Sequence, residues 1–173
     1  MVALVGPRLR LGALIVVAVV VQNAVVDRLQ LHRVHADLML LLPILAGYLR
    51  GSEAGAVVGF FAGLGADIAA PTTLGLTSLA FVIVGFAVGA AHDSLLSGPW
   101  WISAATAAAG SALGVGIFVG LSVLTAQRII LHDSATVLGA VTFVSVANAT
   151  LAAPAAVVMR WAIGSDRDGG VPA

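Results

Sequence analysis

The chain has 173 residues, 60% of them hydrophobic and only 9% charged, with a mean hydropathy of +1.09. Soluble domains carry about a quarter charged residues, so this composition reads as an all-α integral membrane protein. Formal net charge is zero, with eight arginines, no lysine, and Glu53 the one glutamate among eight acids. That excludes the concentrated basic patch of a nucleic-acid binder, and the absence of cysteine excludes disulfides and thiol chemistry.

Residues 1–10 form a short head carrying Arg8 and Arg10, and residues 11–26 follow as an aliphatic first span. A basic head before an apolar run also opens a signal peptide. Here no small-residue cleavage pattern follows and more apolar segments do, so the span reads as uncleaved. Residues 27–37 are the most polar internal stretch, with Arg28, His32, Arg33 and His35. The second span, 38–49, contains Pro43 and would be about 18 Å long against a hydrocarbon core of about 30 Å. It either extends into the polar loop or is sheltered by its neighbours, which would also excuse the proline. Arg50-Gly51-Ser52-Glu53 then makes a tight hairpin into the third span, 54–70. Pro71 suits a turn or the first positions of the fourth span, 74–91, with Thr72 or Thr73 as its cap. Residues 100–126 and 135–161 are the fifth and sixth spans, the last interrupted by Pro154, and 164–173 is a polar, glycine-rich tail. The expected architecture is one domain over 1–163, a bundle of about six transmembrane helices, with a disordered cytoplasmic tail.

Six spans put both termini on one side. With the head inside, Arg8, Arg10, Arg50, Arg160 and Arg167 lie inside and Arg28, Arg33 and Arg128 outside, the direction of the positive-inside rule. Trp100, Trp101, Trp161 and Tyr48 then all fall at the inner interface, where amphipathic rings anchor a bundle.

The third span carries Gly55, Gly59 and Gly63 at four-residue steps, with Asp67 one step further. Such steps return to nearly the same helix face, so the four form one slowly drifting stripe. Glycines spaced in this way let a neighbouring helix approach closely, and that matters in a bilayer, where association depends on packing. Gly85 and Gly89 repeat the step in the fourth span, and Gly110/Gly114 and Gly116/Gly120 in the fifth. These stripes have two uses: packing within the monomer, or docking a helix of another protein. A carboxylate at membrane depth must face protein or water. Asp67 is therefore expected to be held by Arg33, by Arg28 or by the free amides that open span four. With Asp37, which opens span two, Asp67 and Arg33 make the expected buried polar clasp, a structural role rather than a substrate site.

No Gly-x-Ser-x-Gly, His-Glu-x-x-His or phosphate loop occurs, and Ser111 has no intramembrane histidine to act as its base. The chain reads as a non-enzyme without a cofactor. The His32/His35 pair has a spacing a metal could use, but no Cys or Glu joins it, so it reads as a solvated loop pair rather than a metal site. Thr142, Ser145 and Asn148 step by three along span six, a face that would line a polar cavity or bond to neighbouring helices.

The order of these features resembles the rod shape-determining protein MreD family. The similar points are Asp37 opening span two, a short Leu-rich helix ending in Arg50-Gly51, and then Gly59-Phe60-x-x-Gly63-Leu64-x-x-Asp67. Pro71-x-x-Leu74-Gly75-Leu76 and the Gly85/Gly89 pair complete them. The similarity covers residues 36–90; Ala36 departs from it, since family members tend to have proline before the acid. The resemblance implies a non-enzymatic subunit of the lateral-wall peptidoglycan machinery in the bacterial cytoplasmic membrane. Its implied partners are the bitopic MreC, the polymerase RodA and a class B penicillin-binding protein, within a lipid bilayer. An alternative resemblance is to the vitamin-binding S-component of energy-coupling-factor transporters, whose fold a six-span bundle of this size is similar to. Those proteins dock through Ala-x-x-x-Ala in span one, whereas Ala13 and Ala18 here stand five apart.

Overall fold

A computed structural model describes residues 6–22, 24, 37–69, 74–92, 101–125 and 134–164. Among these the chain is all-helical, with six helices: α1 Pro7–Val21, α2 Leu38–Arg50, α3 Ser52–Ala69, α4 Leu76–Ala90, α5 Ile102–Leu124 and α6 Ser134–Ile163. They follow the six expected spans in order. Ser52–Ala69, Ile102–Leu124 and the Leu138–Ile163 part of α6 are long and apolar enough to cross a membrane; Leu9–Val21, Leu38–Arg50 and Leu76–Ala90 are shorter apolar stretches.

The fold is built around α2. Every residue from Met39 to Tyr48 is buried, and all five other helices pack against it. A helix that is apolar on every side has no polar face to offer water and belongs in an interior. Of the two expectations for this short segment, shelter by neighbours is the one observed. Pro43 sits inside the helix and withdraws the N–H that would bond the Met39 carbonyl. Tyr48, expected at an interfacial belt, is instead a core residue at 7% exposure, while Trp101 and Trp161 are exposed. Trp100 lies outside the described residues.

The helix α1 begins four residues before the expected span, because Pro7 occupies a first-turn position where its fixed φ favours helix and its missing N–H costs nothing. Arg10 is thereby wound into the helix, with its guanidinium 5.6 Å from the ring centroid of Trp161 near the end of α6. Pro154 does not interrupt α6, which runs through it unbroken. The expected tail beyond Gly164 falls outside the described residues.

A one-residue connection joins α2 to α3. Gly51 has φ +83°, a left-handed conformation that other residues adopt only with strain. Its N–H donates to the Gly47 carbonyl at 2.9 Å, and its own carbonyl accepts from Gly55 N–H at 3.1 Å. The chain thus reverses direction with its backbone hydrogen bonds intact.

Candidate functional site

Side by side, α3 and α4 meet backbone to backbone along the glycine stripe. A Cβ added at Gly55 would overlap the Gly85 carbonyl, one at Gly59 the Phe81 carbonyl, and one at Gly63 the Ser78 backbone. The contact is reciprocal: a Cβ at Gly85 would overlap the Gly55 carbonyl, and one at Gly89 the Gly51–Ser52 peptide. Gly47 of α2 joins the seam, since its Cβ would lie 2.5 Å from the Gly85 carbonyl oxygen and 3.0 Å from Gly89 N. Side chains are excluded from this seam by backbone, which cannot rotate aside as a side chain can. Gly55, Gly59, Gly63, Gly85 and Gly89 are all buried, and their faces are occupied by one another.

Asp67 closes the same seam at its far end. The carboxylate is 2% exposed and accepts from three amides at the start of α4: Gly75 N–H at 2.8 Å, Thr77 N–H at 3.2 Å and Ser78 N–H at 3.3 Å. Helix α4 has Gly75 at its N-cap, in the left-handed region at φ +94°, with no side chain to cap the helix. The amides two and three positions on are those an N-cap serine or aspartate would normally take. Asp67, eight residues upstream on the neighbouring helix, does that work, and its charge meets the positive end of the helix dipole. The helix starts at Leu76; Thr72 and Thr73, the expected caps, lie outside the described residues. Ser78 adds a bond from its hydroxyl to the Phe60 carbonyl at 3.3 Å, tying α4 back to α3. Of the three partners considered for Asp67, the α4 amides are observed; Arg28 and Arg33 lie outside the described residues.

A second polar cluster surrounds the start of α2, at the same end of the bundle. Asp37 caps α2, accepting from Leu40 N–H at 2.9 Å, and Leu38 N–H donates to Gln22 Oε1 of α1 at 3.0 Å. The Asp37 carbonyl accepts from Asn148 Nδ2 of α6 at 3.1 Å, and the same amide nitrogen donates to Ser111 Oγ of α5 at 2.9 Å. Asn148 and Ser111 are fully buried. Four helices thus meet at the entrance to α2. Asp37 caps α2 and Asp67 takes the amides that open α4; Arg33, the third member of the expected clasp, lies outside the described residues.

The chain matches no protein-family model, no curated protein and no solved structure. Its chemistry rests on these contacts.

The expected face of Thr142, Ser145 and Asn148 divides. Thr142 is exposed and its hydroxyl bonds its own helix at the Leu138 carbonyl, 2.8 Å away, whereas Asn148 bonds the neighbouring helices. His92 Nδ1 lies 2.8 Å from the Tyr48 carbonyl at the other end of the seam; His32 and His35 lie outside the described residues. Among the described residues no group of three His, Asp or Glu could hold a metal.

Three contributors went unnoticed in the sequence. Gly47 was legible, since Gly47, Gly51, Gly55, Gly59 and Gly63 keep one four-residue step across the helix break. Ser111 drew attention only as a nucleophile, although serine beside glycine in an apolar helix also suits an interhelical hydrogen bond. Gln22 is the first polar residue after an aliphatic run from Leu11, a position from which an amide can reach a neighbouring helix end.

Proposed function

We propose that this chain is a non-enzymatic, six-span subunit of the bacterial lateral-wall peptidoglycan machinery, with an MreD-like role in cell shape. In this reading it binds an MreC-like bitopic protein, and with it influences a RodA-like polymerase and its class B penicillin-binding protein. It sits in the cytoplasmic membrane with both termini inside. The observation that carries the reading is the coincidence of the resemblance with the structural hub. Gly59, Gly63, Asp67, Gly75, Gly85 and Gly89, which carry the family-like pattern, are the residues that close and cap the α3–α4 seam. A pattern tied to the hub describes a fold rather than a reaction, which suits a scaffolding subunit.

Membrane residence is supported by the exterior. Phe60, Phe61, Ile68, Phe86, Val123, Leu138 and Val157 are exposed, an apolar surface of the kind that a soluble monomer seldom presents. The neighbouring rings Phe60 and Phe61 pack edge to face at 5.4 Å between centroids and face outward from the seam. Within such a bundle α2, about 20 Å long, is shorter than the bilayer core of about 30 Å, and its enclosure by the other helices spares it a lipid-facing backbone.

A mild-detergent pull-down from native membranes, read by mass spectrometry, tests the reading. Recovery of a bitopic MreC-like protein together with the wall polymerase is the expected result. Recovery of an ATP-driven energising module instead would make the chain a solute-binding S-component and sink the cell-wall role.

A further inference from the structure

Two buried polar atoms of α6 lie beside the start of α2 with no partner among the described residues. Asn148 is fully buried, and its amide orientation is fixed by its partners. The Asp37 carbonyl can only accept, so the nitrogen must face it. That leaves Oδ1 as an acceptor, and among the described residues nothing donates to it. One turn earlier on the same face of α6, the Ser145 hydroxyl oxygen is also buried and also has no partner among the described residues. An acceptor and a hydroxyl, both shut away from solvent and one helical turn apart, are the surroundings that hold an internal water. Such waters bond to about three otherwise unsatisfied buried groups.

We propose that Asn148 Oδ1 and Ser145 Oγ together bind one buried water molecule beside the N-terminus of α2. The water donates one hydrogen to Asn148 Oδ1 and shares a second bond with the Ser145 hydroxyl. The site takes a neutral donor rather than a metal cation. The amides that open α2 put partial positive charge there, and the Asp37 carboxylate that would offset a cation is already engaged by Leu40 N–H. The water completes the hydrogen bonding of Asn148, which ties α6 to both α2 and α5.

The full chain in lipid nanodiscs, labelled with 15N-asparagine, makes this measurable, because its only asparagines are Asn23 and Asn148. Asn148→Leu identifies which of the two side-chain signals is which. In water-edited solid-state NMR, the Asn148 side-chain amide should take up polarisation from water several-fold faster than the backbone amide of Val84, labelled separately in the dry core. In Ser145→Ala that uptake should fall to the Val84 rate, while the Asn148 amide nitrogen keeps its bonds to Asp37 and Ser111. Uptake as slow as that of Val84 in the unaltered chain would overturn the proposal, as would fast uptake that survives Ser145→Ala. A shift of the Asn148 signal on titration with sodium or potassium chloride would overturn it in favour of a cation site.

Discussion

The α3–α4 seam and the helix α5 carry the same glycine signature and use it differently. In the seam, Gly55, Gly59 and Gly63 face the backbone of α4, and no side chain fits between. On α5, Gly110 and Gly114 face the side chains of Ile44 and Leu40, 3.0 Å and 2.7 Å from where a Cβ would sit, while Gly116 and Gly120 have nothing within 4 Å. A four-residue step therefore says that one face of a helix is small. Whether that face is closed by backbone, cushioned by side chains or left open depends on what lies opposite.

Substitutions that grade this contrast should give graded losses. Gly55→Ala drives a methyl into the Gly85 carbonyl, which cannot rotate away, and should cost about 3 kcal/mol or more in reversible detergent unfolding. Asp67→Asn replaces one acceptor oxygen with an NH2 facing amides that also donate, and should cost about 1–3 kcal/mol; protection of the Gly75, Thr77 and Ser78 amides from hydrogen exchange should fall with it. Gly110→Ala meets side-chain atoms of Ile44, Cδ1 and Cγ1 at 3.0 Å and Cγ2 at 3.3 Å, which have only a few tenths of an ångström to give, so a loss of about 1 kcal/mol is expected by the same unfolding assay. Asn148→Leu removes two interhelical hydrogen bonds and should also cost about 1 kcal/mol, the scale measured for such bonds in bilayers. Gly116→Ala meets open space and exchanges glycine for the best helix former, so stability should hold or rise by up to about 1 kcal/mol. A large loss at Gly116, or none at Gly55, would erase the contrast between the two regions.

Much of the helix order was legible because long apolar runs punctuated by charged or glycine-rich breaks leave few other readings. The importance of Asp67 was also legible, since a lone carboxylate in an apolar helix has to be engaged. Its partners were visible only as a choice among arginines and amides. That choice depends on where α4 begins, which is just after the left-handed Gly75. Hydropathy gave the length of α2 but not its enclosure, because an apolar run reads alike whether lipid or protein surrounds it. The Asn148–Ser111–Asp37 junction joins residues as far as 111 positions apart, and no local pattern encodes a contact of that range.

The third helix turns its glycine face inside the molecule. The most direct test of that placement is to measure unfolding stability and partner recovery for Gly59→Leu beside Gly120→Leu, in one detergent. Gly59→Leu should lose the fold while Gly120→Leu unfolds like the unaltered chain. A Gly59→Leu protein that stays as stable as the unaltered chain and loses only its partner would contradict that placement, and would make the stripe a docking surface.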